Sequence, residues 1–185
     1  ELSMMRSYRE ESSLSIATGS LAQKKDPLII NYAASAATLS ASTFSFDIDT
    51  DGQQDTISLL KRGSAFLALD LNGDGKVNHG RELFGTQNGD GFADLAKHDG
   101  DNNGWIDEND VVFAKLKLWI KDDSGTDKLV DLKSMGIGAI YLGNAKGDFS
   151  LNTQENRELG QIRATGIYLM EDGRAGTVQQ VDLVA

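Results

Sequence analysis

Three short acidic loops carry the residues whose types and spacing are best suited to chemistry. Each follows the pattern Asp-x-[Asp/Asn]-x-[Asp/Asn]-Gly, and they begin at Asp47, Asp70 and Asp99. Calcium is a hard cation that takes six to eight oxygen ligands, and acids on alternate residues of a tight turn converge on one point. The glycine at the sixth position permits the sharp turn. The spacing therefore predicts two or three bound Ca²⁺ ions.

The loop that begins at Asp99 is the best match to an EF-hand calcium loop. An EF-hand binds through side chains at positions 1, 3 and 5, a carbonyl at 7, often a water at 9, and an acid at 12. A metal-free turn is the alternative, but the number of matching oxygen positions favours a metal site. The predicted ligands are Asp99, Asp101, Asn103, the carbonyl of Trp105, Asp107 and Asp110.

The loop that begins at Asp70 has the same start but closes late. Its twelfth residue is Arg81, which cannot bind a cation, and the acid Glu82 comes one residue later. We expect Gly80 to take up the extra residue through its backbone freedom. The alternative is a glycine-rich turn that caps a helix. The predicted ligands are Asp70, Asn72, Asp74, the carbonyl of Lys76, Asn78 and Glu82.

The loop that begins at Asp47 has no acid at its twelfth position. It is either a strand–loop–strand site that recruits a ligand from elsewhere or a plain hairpin turn. A fourth stretch, 121–127, has the alternation without the glycine or a closing acid, and it indicates a solvated turn. The predicted ligands of the loop that begins at Asp47 are Asp47, Asp49, Asp51, the carbonyl of Gln53 and Asp55.

The composition excludes several other classes of function. The net charge is −10, and no Lys/Arg cluster is present to neutralise phosphates, which argues against nucleic acid. The absence of Cys rules out disulfides, thiolate catalysis and Cys-based zinc sites. With His79 and His98 as the only histidines, a zinc centre or a catalytic triad has little support. No apolar run approaches the roughly 18 residues that predict a membrane span.

The elements that must position the loops alternate between strand and helix patterns, without βαβ order. They predict an α+β fold in which antiparallel hairpins and short helices flank EF-hand-like loops. The predicted elements are hairpins over 43–60 and 158–184, a helix or strand over 63–70, helices over 91–99, 108–116 and 128–136, and a strand over 137–143.

The chain is expected to be a fragment of a longer protein, because it begins at Glu1. Residues 1–25 predict a strand and linker from an upstream region, and 26–185 a calcium-binding module.

The order of the motifs resembles a known family. An Asp-Pro pair and a hairpin are followed by "LDLNGDGKVNHGRELFG", "GFADLAKHDGDNNGWIDENDVVFAKLKLW" and "LKSMGIGAIYL". Residues 26–185 are similar to the calcium-dependent self-processing module of FrpC-type iron-regulated RTX proteins of Gram-negative bacteria. The resemblance implies Ca²⁺ as the bound cofactor and a secreted or cell-surface location.

The resemblance also implies a single-turnover reaction at Asp26-Pro27. In processing members, calcium-induced folding triggers cleavage of the Asp-Pro bond, and the new Asp carboxyl can join a Lys amine of another chain. The carboxylate of Asp26 can attack its own peptide carbonyl to form a five-membered anhydride. Proline supplies a tertiary amide that twists more easily than a secondary one. The chain departs from the family where "LIINYAASAATLS" replaces an acidic run after the Asp-Pro.

Three functions are compatible with these features. The residues favour a non-catalytic calcium-binding module, with self-processing at Asp26-Pro27 as the alternative. A third possibility is an interaction module whose protein partner binds an apolar hairpin surface.

Overall fold

The computed structural model describes residues 25–184. Of the strand and linker predicted over 1–25, all except Lys25 lies outside the described residues. Within this range an α-helix, α1, spans Gly91–Ala96, and 3-10 helices span Gly80–Glu82, Phe113–Lys115 and Lys133–Met135. The strands are β1 Leu28–Asn31, β2 Leu39–Phe46, β3 Asp55–Leu60, β4 Ser64–Leu69, β5 Trp105–Ile106, β6 Leu116–Lys121, β7 Asp127–Asp131, β8 Ile137–Asn152, β9 Glu158–Met170 and β10 Ala175–Leu183.

Eight of these strands form one sheet in the order β5-β8-β9-β10-β1-β4-β6-β7, and β2 and β3 form a separate hairpin. Every pairing between the described strands is antiparallel. The predicted α+β class is therefore wrong, because the described part of the chain is mostly antiparallel sheet. Short apolar runs such as "LIIN" and "SAFLAL" bury both faces of a central strand, which a helix of that length cannot do.

The sheet separates two hydrophobic cores. Strand alternation sends Leu28 and Ile30 of β1 into one core and Ile29 into the other. The first core lies under α1, whose Phe92 contributes to it. The second lies under the β2–β3 hairpin, where Trp119 packs against three aromatic rings of β2 and β4, with the closest centroid at 5.0 Å. A rigid sheet packed on both sides is the frame from which the acidic loops emerge.

Of the predicted helices, one is confirmed and two are wrong. The helix over 91–99 forms as α1, whose first turn is capped by the Asp90 carboxylate accepting from the Ala93 N–H at 3.0 Å. The segment 108–116 contains only a 3-10 turn before β6. The first four residues of 128–136 belong to β7, because pairing with β6 outweighs the helical pattern, and Lys133–Met135 form a 3-10 helix. Gly136 ends this segment in the left-handed conformation, with φ 73°.

The hairpins predicted over 43–60 and 158–184 are confirmed. The segment 63–70 resolves to strand β4 rather than a helix, and the strand predicted over 137–143 extends to Asn152 through its ladder with β9. No helix among the described residues is long and apolar enough to cross a membrane.

Candidate metal centre

The three acidic loops, named loop 1 (47–55), loop 2 (70–82) and loop 3 (99–110), all start close to the end of a regular element. Loop 1 joins β2 to β3, loop 2 follows β4, and loop 3 follows α1. The preceding strand or helix therefore fixes the direction from which each first aspartate enters its loop.

The first halves of the three loops have the same hydrogen bonds. The first aspartate accepts from the N–H of the sixth-position glycine at 3.1, 2.8 and 2.9 Å in loops 1, 2 and 3. The third side chain accepts from the N–H of the fifth residue at 3.1, 2.9 and 3.1 Å. The fifth accepts from the N–H of the seventh at 2.7, 2.9 and 2.7 Å. Gly52, Gly75 and Gly104 all have positive φ, as the turn requires.

Loop 3 closes on Asp110, which is 3% exposed. Its two carboxylate oxygens accept from the N–H of Gly100 at 2.6 Å and of Asp107 at 3.1 Å, the second and ninth residues of the loop. Carboxylate oxygens of Asp99, Asp101 and Asp110 lie within 4.8 Å of one another. Negative charges so close repel one another, and a cation between them relieves that repulsion.

Loop 2 closes on Glu82, which is 2% exposed. Its oxygens accept from the N–H of Leu71 at 3.1 Å and of Asn78 at 2.7 Å, again the second and ninth residues. Arg81, at the twelfth position, is exposed. Glu82 thus makes in loop 2 the hydrogen bonds that Asp110 makes in loop 3.

The expectation that Gly80 takes up the extra residue of loop 2 through its backbone freedom is wrong. It is absent from the glycines with positive φ, and a Cβ built on it would overlap the carbonyl oxygen of Ile48. Its N–H donates to the carbonyl of Asp47 at 2.8 Å. Gly80 is therefore required for loop 2 to pack against loop 1, and the extra residue is accommodated by the 3-10 turn that includes Glu82.

Loop 1 closes within itself. The carboxylate of Asp55 accepts from the N–H of Ile48, the second residue, at 3.2 Å, although Asp55 is only the ninth residue. Carboxylate oxygens of Asp47, Asp49 and Asp55 lie within 4.8 Å of one another. Asp55 begins β3, so the strand positions this closing acid, and no ligand from elsewhere is needed for the acids to converge.

A lysine from outside the loop also reaches loop 1. The ammonium of Lys25 lies 3.5 Å from Oδ2 of Asp49, and the lysine side chain is 9% exposed. Sequence reasoning missed this contact, since 24 residues separate the partners and nothing in the local pattern marks it.

The remaining predicted ligands lie in or beside their loops. Asn78 donates its amide to Asp74 at 2.8 Å, and this hydrogen bond holds the pKa of the Asp74 carboxyl below its usual range. The amide of Asn103 approaches Asp101 at 3.0 Å and Asp107 at 3.4 Å. The ring of Trp105 packs on Tyr141 at 4.8 Å, which ties loop 3 to β8.

Gln53, Lys76 and the stretch 121–127 make hydrogen bonds within their own turns, and the two carbonyls predicted as ligands, those of Gln53 and Lys76, stay predictions. The Gln53 amide donates to Asp51 at 3.1 Å, and the Lys76 N–H donates to Asp74 at 2.9 Å. The stretch 121–127 forms a turn in which Asp122 accepts hydrogen bonds from Ser124 and Thr126. A hydrogen bond from the Ser124 side chain lowers the pKa of Asp122, so this carboxylate is already used within its own turn.

Asp26 and Pro27 lie beside β10 in the middle of the sheet. Val181 donates its N–H to the carbonyl of Pro27 at 3.1 Å, and Leu183 donates to that of Lys25 at 3.0 Å. The same antiparallel register places Asp26 opposite Asp182, and the two residues are 9% and 3% exposed. The bond between Asp26 and Pro27 is therefore held in place, with a second carboxyl group across the ladder.

The sheet and loops account for the part of the chain that matches a known domain. A family model for the SPM domain matches residues 33–184. The chain belongs to the SPM domain family. Of the sites described above, the three loops lie inside the matched range, whereas Asp26 and Pro27 lie just before it.

This SPM domain is also similar to the iron-regulated protein FrpA of Neisseria meningitidis serogroup C. The two are 29% identical over 152 residues, which cover 76% of this chain and 13% of FrpA. The chain thus spans a small part of its relative's length. Both findings support an FrpC/FrpA-related family, whereas calcium-dependent self-processing stays a prediction.

Histidine has no part in the acidic clusters of the SPM domain. Among residues 25–184, the groups of three or more metal-binding side chains that converge contain only aspartates. His98 instead packs edge-on against the ring of Phe84 at 5.9 Å.

Proposed function

We propose that this SPM domain binds Ca²⁺ in its three acidic loops and that the ions stabilise its fold. The observation that carries the proposal is the shared first half of the loops, in which three aspartates or asparagines are fixed by the same backbone donors. Two of the loops also bring three carboxylates together. Oxygen-only donor sets of this kind suit a hard divalent cation.

In this proposal each closing acid supplies the charge that a loop needs for tight binding. Asp110, Glu82 and Asp55 already accept from backbone N–H groups, so they are oriented before an ion arrives. Bound calcium supplies positive charge to a chain whose net charge is −10, and it stabilises the folded state by mass action. Extracellular modules of this type bind in the range of about 10⁻⁴–10⁻³ M.

The similarity to FrpA supports a wider setting for the module. The chain is part of an RTX-related bacterial protein that is secreted or exposed at the cell surface, where millimolar calcium is available. The activity of the full-length protein is a separate question, because the chain corresponds to 13% of FrpA.

The test is a calcium titration followed by amide NMR. The N–H groups of Gly52, Gly75 and Gly104 each donate to the first aspartate of their own loop, so each reports one site. We expect all three signals to move as calcium rises through about 1 mM, with an increase in melting temperature. Terbium luminescence sensitised by Trp105 in loop 3 gives an independent reading. Three unmoved glycine signals and an unchanged melting temperature would contradict calcium binding.

A second candidate function is self-cleavage at Asp26-Pro27, and the placement of Asp182 favours it. One Asp26 carboxylate oxygen attacks the carbonyl carbon of Asp26, the C–N bond to Pro27 breaks, and the proline nitrogen takes up a proton. A carboxyl group across the ladder is a suitable source of that proton. Water then opens the cyclic anhydride, or a Lys amine opens it to form an amide bond.

A denaturing gel tests this candidate. After incubation with about 5 mM calcium, within reach of extracellular sites, we expect fragments of residues 1–26 and 27–185. Asp26→Asn removes the nucleophile and should leave the chain whole. Asp172→Asn changes the same charge in a distant turn and should cleave as the parent does. An intact band after several days, while the glycine amides show calcium bound, would exclude the reaction and leave the binding proposal standing.

A further inference from the structure

We infer that Lys25 is a built-in competitor for the cation of loop 1, so that an ion entering this loop must displace an ammonium held by the residue before Asp26-Pro27. The inference rests on the proposed calcium binding and concerns its regulation. Lys25 Nζ lies 3.5 Å from Asp49 Oδ2, and Asp49 is one of the three converging acids of loop 1.

The burial of Lys25 makes this contact unusual. Lysines are almost never buried without a charged partner, and Lys25 is 7% exposed. A positive charge buried beside a carboxylate interacts with it through a medium of lower polarity than water. The ammonium therefore neutralises part of the charge that would otherwise attract a divalent ion to loop 1.

Within residues 25–184, no such contact is made by the acids of loops 2 and 3. Among the ion pairs between described residues, none joins a lysine or arginine to the acids of these two loops. Among the described residues, a lysine from outside the loop therefore forms an ion pair with the acids of loop 1 alone. At equal calcium, loop 1 fills last.

A divalent ion and an ammonium cannot share Asp49 at short range without strong repulsion. The backbone of Lys25 is held by the hydrogen bond from Leu183, so the side chain is the part that can move. A lysine stem is long and flexible enough to carry its charge toward solvent. Filling of loop 1 thus changes the charge next to Asp26-Pro27, whereas filling of loops 2 and 3 does not. By reciprocity, an ion in loop 1 weakens the contact between Lys25 and Asp49 by the same factor as that contact weakens the binding of the ion.

The test compares variants of the full chain by the same amide titration. Lys25→Met keeps the apolar stem and removes the charge, and we expect the calcium midpoint read at Gly52 to fall about tenfold, within the 5–150-fold range of typical couplings. The midpoints at Gly75 and Gly104 should stay unchanged. Lys25→Arg retains the charge and should keep the parental midpoint at Gly52.

Lys117→Met is the matched control. It removes the same charge and breaks an ion pair with Asp131 on the outer strands, so it should leave all three midpoints unchanged. An unchanged midpoint at Gly52 in a folded Lys25→Met chain would overturn the inference. So would an equal shift at all three glycines, which would indicate a general charge effect. If no glycine responds in the parent or in Lys25→Met, the proposed calcium binding itself fails; if Gly75 and Gly104 respond normally and only the Lys25 effect is missing, the inference alone fails.

Discussion

Loops 1 and 3 begin alike and end differently. In both, the first, third and fifth side chains accept the same backbone hydrogen bonds. Loop 3 closes on Asp110, its twelfth residue, whereas loop 1 closes on Asp55, its ninth, at the start of a strand. Loop 1 also holds the ammonium of Lys25. The local sequence therefore sets the first half of each loop, and the element that follows sets its closure.

This difference predicts unequal binding. Loop 3 has room for a water-linked ligand and a bidentate acid after its turn, as an EF-hand does. Loop 1 enters β3 at once, so fewer oxygens can reach an ion, and a competing charge is present. We expect loop 3 to bind calcium more tightly than loop 1, and the following changes are designed to disturb one loop while leaving the other as a reference.

The largest effect is expected for Gly80→Ala, which separates loop 1 from loop 2. The added methyl group would overlap the carbonyl of Ile48 and disrupt the hydrogen bond from Gly80 to Asp47. Overpacking of this kind costs about 3 kcal/mol of unfolding free energy, at the upper end of the usual range. Urea denaturation measures the loss, and calcium binding read at Gly104 should persist.

Gly100→Ala is the control for that change. A Cβ at Gly100 would meet only an oxygen of Asp110 at 3.5 Å, an ordinary contact. We expect its unfolding free energy to stay within about 0.5 kcal/mol of the parent. If both substitutions lowered the unfolding free energy equally, the loss in Gly80→Ala could not be attributed to the contact between loops 1 and 2.

The next effect, Asp110→Asn, acts on loop 3 alone. The amide keeps one oxygen acceptor for the backbone but removes the charge and the second oxygen that close the loop. We expect the calcium midpoint at Gly104 to rise about 100-fold, since even outer-shell partners of metal sites cost 10–100-fold. The midpoint at Gly52 should not change.

Asp148→Asn is a suitable reference for Asp110→Asn, because it changes the same charge at an exposed position paired with Arg163. It should leave both midpoints at the parental values. A Gly104 midpoint that is insensitive to Asp110→Asn would mean that Asp110 has only a structural role in loop 3.

The same comparison explains what the sequence could and could not predict. The Asp-x-[Asp/Asn]-x-[Asp/Asn]-Gly pattern is short, and its hydrogen bonds are local, so the first half of each loop was predictable. The contacts of Lys25 with Asp49 and of Gly80 with Ile48 join distant segments, and no local pattern encodes them. Asp182 faces Asp26 for the same reason, through a strand register that only the assembled sheet defines.

The error in fold class has a related cause. The segments 108–116 and 128–136 have apolar residues at helical spacing, but they flank β6 at one side of the sheet. Residues 128–131 satisfy their backbone groups by pairing with β6, and 108–115 form turns that lead directly into β6, so tertiary context overrides a weak local preference. The hairpins at 43–60 and 158–184 were easier to predict from the sequence, because alternating apolar and polar residues and an Asp-Gly turn both indicate a hairpin.

A moderate effect on calcium binding is expected in loop 2. It tests whether an acid at the thirteenth position, Glu82, closes its loop as the acid at the twelfth position, Asp110, closes loop 3. Glu82→Gln should raise the calcium midpoint at Gly75 by about tenfold, the lower end of the cost of perturbing a metal site. Arg81→Gln changes the residue at the twelfth position, whose side chain is exposed, and should not raise this midpoint. If Arg81→Gln weakened calcium binding as much as Glu82→Gln does, the assignment of Glu82 as the closing acid of loop 2 would be wrong.

The smallest effect concerns the fifth position, where loop 2 has Asp74 and loop 3 has the uncharged Asn103. The amide of Asn78 holds the pKa of the Asp74 carboxyl below its ordinary value of 3.8. A carboxyl group whose pKa is lowered in the folded state stabilises that state above its unfolded pKa of about 3.9, and the contribution is lost as pH falls through the lower, folded value. Removing the amide should therefore raise the pKa of Asp74.

The measurement is a carboxyl ¹³C NMR titration of Asn78→Ala without calcium. We expect the Asp74 titration to move up toward 3.8, while Asp172, whose low pKa depends on Arg174, stays where it is in the parent. An unmoved Asp74 would show that its low pKa depends on its neighbours Lys76 and Asn72 rather than on Asn78. In that case the fifth side chain would be held by neighbouring residues of its own turn in loop 2 as in loop 3. The two loops would then differ only in the position of the closing acid.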